Sequence, residues 1–253
     1  MGYRNSVPRQ DDALSLRLLS YNLHRFVGMD GLADPERVVQ VIRHIDADII
    51  AVQELGWAQA SDTGSTSAFD WLQDALDMPG VMATTFSDSR GPYGLAVFSR
   101  LPVLAQQERD LSVPGREPRK ALEVTFNWHA LPVQVIGVHL GLGAAERRRQ
   151  MASIWNALSA QNSDGKAAQV LMGDFNEWRP WAAMLRQLRS AFGPAPRLST
   201  FPARWPSLPL DRIWVRGCIQ PTGVNTERSA EARVASDHLP LYSDIMLKPR
   251  SKE

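Results

Sequence analysis

Apolar and polar positions along this chain follow two rhythms. The segment "LSLRLLSYNL" (14–23) alternates and then turns apolar, as a strand does when it passes from half-buried to fully buried. Over "DPERVVQVIRHI" (34–45) the apolar residues recur three and four apart. Asp34 suits the N-cap and Pro35 the first helical position, so the pattern predicts a helix. "ADIIAVQEL" (47–55) predicts a second strand and "AFDWLQDAL" a short helix. "YGLAVFSR" (93–100) and "LPVLAQQERDL" read as strands, with Pro102 marking an edge or a break. "ALEVTFNWH" (121–129) and "LPVQVIGVHL" (131–140) predict a hairpin. "AAERRRQMASIWNAL" (144–158) predicts an amphipathic helix with Ile154 and Leu158 on its buried stripe. A strand at 169–174, a helix at 181–190 and a Pro-rich loop at 193–209 follow. Strands near 211–216 and 219–224 and a last one at 239–247 complete the chain. Helices alternate with strands early and adjacent strands dominate later. The expectation is an α/β architecture, two sheets packed face to face with helices outside, in one domain over 14–249 behind a polar tail at 1–13.

Five of the apolar runs end on residues that a core would not choose. Asn22 closes "LLSYNLH", Glu54 "IIAVQEL", and His139 "VIGVHLG". Asp174 with Asn176 closes "LMGDFN", and Asp237–His238 stands in "ASDHLP". Asp211 in "LPLDRIWV" opens a strand instead. A lone carboxylate costs several kcal/mol to bury, so such groups persist near a core when paired, hydrogen-bonded or metal-bound. Singly, each has an ordinary explanation: Asn22 closing a turn, His139 satisfied in the core, Asp211 capping a turn. Their shared position at strand ends, where α/β folds collect their ligand sites, argues for one pocket. Asp174 and Asn176 are two apart, so a strand continuing past Gly173 would project both to one face and turn Phe175 into packing.

Composition narrows the chemistry. The 253 residues are 44% hydrophobic and 22% charged, which suits a globular chain, and 28 Lys and Arg against 27 Asp and Glu identify no partner by net charge. The one cysteine, Cys218, cannot form an internal disulfide, so the fold does not depend on an oxidising compartment. No apolar run approaches the roughly 20 residues that span a bilayer, and a cytoplasmic monomer is expected, with peripheral membrane association an alternative. The polar start "MGYRNSVPRQDD" matches a loose myristoylation pattern and is read as a tail. Gly-x-x-x-x-Gly-Lys-Ser/Thr, Gly-x-Ser-x-Gly and His-Glu-x-x-His motifs are all absent from the sequence. What remains is hard oxygen ligands suited to Mg²⁺ or Mn²⁺, a carboxylate able to orient water, and two imidazoles. Those parts suit attack of water on a phosphate ester.

The ordered motifs "LLSYNLH", "ADIIAVQE", "YGLAVFSRLPV", "VIGVHLGLG", "LMGDFNEW", "LDRIWV" and "SDHLPLYSDI" resemble the endonuclease/exonuclease/phosphatase (DNase I-like) superfamily over roughly 20–245. The resemblance implies a four-layer α-β-β-α sandwich with two packed mixed β-sheets. It also implies a Mg²⁺- or Mn²⁺-dependent phosphoesterase. By that likeness Glu54 and Asn22 are metal residues, with Asp237 a second metal ligand. Asp174 positions or deprotonates water, and Asn176 and His139 contact the phosphate. His238 is the second catalytic histidine, oriented by Asp211, and either Asp174 or His238 acts as base.

Substrate clues are cationic and aromatic. Seven arginines and a single acid lie between 178 and 217, interleaved with Trp178, Trp181, Phe192, Phe201, Trp205 and Trp214. Such mixtures suit single-stranded nucleic acid or an anionic membrane surface. Arg119 in "PGREPRKAL", Arg147 in the run Arg147–Arg149, and Trp205 are the candidate substrate contacts, while Trp181 and Trp214 are assigned to the core. A phosphodiester is expected as substrate, nucleic acid ahead of phospholipid, with a small phosphomonoester or a non-catalytic binding role as alternatives.

Overall fold

The computed structural model describes residues 15–59, 66–160 and 167–248. The expected tail at 1–13 lies outside these residues. The first sheet has six strands: β1 (Ser15–Asn22), β2 (Ile49–Leu55), β3 (Gly80–Asp88), β4 (Gly91–Ser99), β10 (Ile219–Thr226) and β11 (Leu241–Leu247), in the order β10-β11-β1-β2-β4-β3. The second has five: β5 (Val103–Asp110), β6 (Lys120–Trp128), β7 (Leu131–His139), β8 (Ala168–Asp174) and β9 (Asp211–Arg216), in sequence order. Each sheet is mixed through a single parallel pair, β1 with β2 and β7 with β8. Each pair is bridged by a helix, α1 (Pro35–Ile45) in the first sheet and α3 (Ala144–Ala160) in the second.

Period-two alternation builds the layers. Leu16 and Leu18 of β1, Ile49 and Ala51 of β2, Val133 and Val135 of β7, Val170 and Met172 of β8, and Ile213 and Val215 of β9 all meet in the seam between the sheets. The intervening residues face outward. Leu19, Tyr21, Ile50 and Val52 pack under α1 and α2 (Ala68–Leu76). Ile136, Val138, Leu171 and Trp214 pack under α3 and α4 (Ala183–Phe192). The result is the four-layer α-β-β-α sandwich. At Gly137 an added Cβ would come within 3.4 Å of Leu95 and Val97 of the facing sheet, so the two sheets pack closely where β7 has no side chain.

Helix α1 begins as its sequence implies: the Asp34 carboxylate accepts the Arg37 N–H at 3.0 Å and Pro35 occupies the first turn. Three features differ from expectation. Strand β3 pairs with β4 as a hairpin, although its half-exposed, mixed sequence carried no clean alternation. A one-turn helix α5 (Ala232–Ala235) precedes Asp237 and His238, which therefore lie in a loop before β11 and not at a strand end. Helix α4 starts at Ala183, so Trp181 stands outside it and 68% exposed, correcting its assignment to the core. Trp214 is buried as expected. No described helix is long and apolar enough to cross a membrane.

Candidate active site

The inward-facing alternation of three neighbouring strands leads directly to the site. Val135 and Gly137 continue to His139, Val170 and Met172 to Asp174, and Val215 and Ile213 back to Asp211. His139 pairs with Asp174 across β7 and β8, and Asp174 with Asp211 across β8 and β9, so the three form one row at the mouth of the inter-sheet seam. From the facing sheet, Asn22 continues the inward set of Leu16, Leu18 and Ser20. Glu54 should point the other way, with Ile50 and Val52. A β-bulge between Val52 and Leu55 and a left-handed backbone at Glu54 (φ 55°) re-aim it into the site. Such strain in a non-glycine residue costs on the order of 1–3 kcal/mol and is held where a side chain must be presented.

The site is closely connected. Asn22 Nδ2 donates to Glu54 Oε1 at 2.9 Å and to Asp174 Oδ2 at 3.3 Å. His139 Nε2 lies 3.8 Å from Glu54 Oε1 and 3.6 Å from Asp174 Oδ2. His238 Nε2 lies 3.7 Å from that same Asp174 oxygen, and its Nδ1 is 2.8 Å from Asp211 Oδ2. Arg119 Nη1 lies 3.0 Å from His139 Nδ1. A guanidinium has no lone pair, so Nδ1 accepts and the proton of a neutral His139 sits on Nε2, toward the carboxylates. Burial, the Arg119 charge and His238 hold the His139 pKa well below its ordinary value, in agreement with a neutral ring.

The second imidazole has the opposite character. Burial works against a charged His238, but Asp211 and Asp174 outweigh it and raise its pKa to about 10. Asp174 is raised to about 6 by burial and by Asp211, against the pull of His238. Asp174 is 1% exposed, and only a compensating cluster of this kind keeps a carboxylate ionised there.

Several placements revise the expectations. Asn176 does reach the site, but not along a continued strand: β8 ends at Asp174, and Asn176 adopts φ 50° in a turn where its N–H donates to Asp174 Oδ1 at 2.8 Å. Its Nδ2 then bonds the Leu140 carbonyl at 2.9 Å. Gly173 permits this approach, because at its φ of 144° a Cβ would fall 1.9 Å from the Val138 carbonyl oxygen. Asp237 does not join the Asn22–Glu54–Asp174 group; its Oδ1 lies 3.9 Å from His24 Nδ1 and 3.4 Å from Ser236 Oγ. Arg147 is no rim contact: it is 2% exposed, with Nη2 2.7 Å from Glu177 Oε2 and Nη1 on the Gly141 carbonyl. Arg119, a candidate substrate contact, is buried with its Nη1 on His139 Nδ1. Trp205 is 75% exposed, in the loop whose Ala203 N–H bonds the Asp237 carbonyl at 2.7 Å.

Sequence reasoning missed the supports. Thr200 Oγ1 donates to Asp211 Oδ2 at 2.5 Å, and the Phe201 ring lies 5.0 Å from that of His238. Ser236 Oγ donates to the Asn22 carbonyl at 2.7 Å, tying the His238 loop to β1. His24, Arg25 and Phe26 all have positive φ, and the Arg25 guanidinium stacks 4.0 Å from the Tyr93 ring centroid. Only spatial proximity marks these residues.

Two donor sets could hold a cation, and Asp174 belongs to both. Asp174, Asp211 and His238 present ligand atoms all within 4.8 Å of one another. A protonated imidazole cannot ligate, and His238 Nδ1 is occupied by Asp211. The hard-oxygen set of Glu54 and Asp174, bracketing the Asn22 amide with no Lys or Arg among the described residues hydrogen-bonded to either carboxylate, is the better match for Mg²⁺ or Mn²⁺.

Comparison with known proteins identifies the fold and the family. The Uncharacterized protein YbhP of Escherichia coli (strain K12) is 29% identical over 260 residues, covering 95% of this chain and 100% of YbhP. The fold matches that of the mannosyl-6-phosphatase of Bacteroides thetaiotaomicron VPI-5482 (TM-score 0.71, 18% identity, 92% of this chain and 100% of that one). It also matches D. rerio TDP2 complexed with single strand DNA product (TM-score 0.69, 16% identity, 91% and 98%). The Endonuclease/Exonuclease/phosphatase family profile matches residues 19–238, which span every strand-end group described above, and the chain therefore belongs to that family.

Proposed function

We propose that this chain is a divalent-metal-dependent phosphodiesterase that attacks its substrate with water, nucleic acid being the favoured substrate. The observation that carries the reading is the single cluster made by a neutral His139, a charged His238 and the Glu54–Asp174 carboxylate pair. A cation bound at Glu54 and Asp174 would neutralise charge on a phosphoryl oxygen. Asp174 orients water and takes its proton. His139 presents Nε2–H, and Asn176 its turn, to the non-bridging oxygens. His238, held protonated by Asp211, adds a charged donor to the crowded transition state. Around this centre, Trp205 stands between Arg204 and Pro206 with Arg233 nearby, an exposed aromatic among cations that suits a base-bearing polyanion. The likeness of fold to a mannosyl-6-phosphatase and to TDP2 complexed with single strand DNA product makes both a phosphomonoester and a nucleic acid worth assaying.

A panel of single- and double-stranded DNA, RNA, phospholipid vesicles, and a chromogenic phosphodiester beside its monoester, in Mg²⁺ or Mn²⁺ and in EDTA, tests the reading. The expectation is metal-dependent cleavage of the diester and of nucleic acid. Nucleic-acid cleavage should weaken steeply with salt. Asp174→Asn and His238→Ala should each lower turnover by about 10³-fold or more while the protein stays folded. Turnover confined to monoesters or to vesicles would displace nucleic acid as substrate, and full activity in EDTA would end the metal assignment.

A further inference from the structure

On β9 the side chain after Asp211 has no counterpart in the site just described. Arg212 is 3% exposed, its Nε and Nη2 are fully buried, and neither has a hydrogen-bond partner among the described residues. By the alternation of β9 it lies on the outer face with Trp214, under α4, while Asp211 faces the seam. An unpaired buried guanidinium is costly, since the desolvation penalty stands with nothing to offset it.

The neighbourhood deepens the imbalance. Burial and the charges of Arg197 and Arg189 depress the Arg212 pKa, and the negative charges of Asp211 and Glu177 offset them only in part. Arg189 Nη2 donates to the Pro180 carbonyl at 2.8 Å and Arg197 Nη2 to the Trp178 carbonyl at 3.4 Å, so both reach the turn that follows Asn176. Glu177, the acid of that turn, is already engaged: Arg147 holds Oε2 at 2.7 Å and Arg179 holds Oε1 at 2.9 Å. Two arginines thus take the acceptor capacity of this carboxylate, while Arg189 and Arg197 bond backbone carbonyls of the same turn. Asp211 points into the seam on the other face, where Thr200 and His238 both engage its Oδ2, and no hydrogen bond among the described residues joins it to Arg212.

We infer that Arg212, Arg189 and Arg197 form an oxyanion-binding site for a phosphoryl group, behind the 176–180 turn and separate from the Glu54–Asp174 centre. Planar guanidinium forks match a tetrahedral dianion by paired hydrogen bonds, and a dianion supplies the acceptors that Arg212 lacks and adds to the partial offset that Asp211 and Glu177 give its like-charged neighbours. The ligand is either free inorganic phosphate or a second phosphoryl group of a larger substrate; the recognition chemistry is the same.

The test is inorganic phosphate binding in EDTA, where nothing turns over, so the result is independent of the phosphodiesterase reading. In thermal shift and calorimetry against chloride at matched ionic strength, phosphate should stabilise the wild-type protein by mass action. The exposed Arg197→Gln should weaken phosphate binding about tenfold, the loss of one charge-assisted contact. Arg212→Met should abolish the phosphate response yet match or exceed the wild-type melting temperature without phosphate, because it removes an unpaired buried charge. If Arg212→Met fails to fold, Arg197→Gln and Arg189→Gln still decide the matter. A phosphate response absent in the wild type, or undiminished in these variants, overturns the site. The source is read from kinetics: a KM rise in Arg197→Gln only for substrates with two phosphoryl groups marks the substrate's own second phosphate, and unchanged KM values mark free phosphate.

Discussion

Asp211 and Arg212 are adjacent on β9, and the two faces of that strand treat charge in opposite ways. On the inner face each carboxylate has charged or polar partners: Asp211 Oδ2 with His238 and Thr200, Asp174 with Asn22 and the Asn176 N–H. Asp211 Oδ1 is the one carboxylate oxygen of that pair buried without a hydrogen bond. On the outer face positive charge is in excess and one guanidinium is orphaned. The inner face has the character of preorganisation, with dipoles and charges fixed before a reaction starts. The outer face has that of a receptor, where the compensating charge must come from outside. One strand can host both because consecutive side chains point to opposite layers, insulated by the sheet.

Breaking the inner face should have the largest effect. Asp211→Asn leaves the shape intact but removes the charge that keeps His238 protonated and its tautomer fixed. kcat should fall roughly 10²- to 10⁴-fold with little change in melting temperature, measured by steady-state kinetics and thermal unfolding. A variant of near-normal kcat would show that the pairing is only structural.

Glu177→Ala should act the other way, on stability more than chemistry. It strips the acceptor from Arg147 and Arg179, and removing one partner of a buried pair costs about 3 kcal/mol, several degrees in melting temperature for a chain of this size. The pH dependence has a definite sign. Burial raises the Glu177 pKa, but hydrogen bonds from Arg179 and Arg147 outweigh it and hold it at about 2. A depressed carboxylate stabilises the fold fully above its ordinary value near 4.3 and progressively less as pH falls toward 2. The gap between wild type and Glu177→Ala in thermal unfolding should therefore be widest above pH 5 and close in acid; a gap independent of pH would refute the ion pair as its source.

The smallest effect is expected at the rim. Trp205→Ala should raise KM for single-stranded nucleic acid roughly fivefold, the loss of about 1 kcal/mol of stacking, and leave both kcat and melting temperature alone. Equal loss on a small chromogenic diester would rule out base stacking.

Much of the inner site was legible in the chain. His139, Asp174 and Asn22 end alternating runs whose apolar members define the seam, so their inward direction follows from parity alone. The same parity misdirects Glu54, because a bulge, created by how β2 meets β4, is not written in either strand by itself. Asp237 and His238 looked like a strand end because no apolar periodicity marks a helix as short as Ala232–Ala235. Arg147–Arg149 read as one basic run, yet helical rotation separates them: Arg147 turns inward to Glu177 while Arg148 and Arg149 remain exposed. Trp181 lost its place in the core when α4 began two residues later than its pattern implied.

The sequence by itself determined which residues alternate, which strands are buried on both faces, and which chemical groups stand where those strands stop, since these are local properties of period and residue type. Tertiary structure decided which of those groups share a proton, which arginine is left without an acceptor, and which acid is turned into the seam. Those outcomes depend on distances between segments as far apart as the 152 residues separating Asn22 from Asp174. No local rule of periodicity or propensity reaches that far.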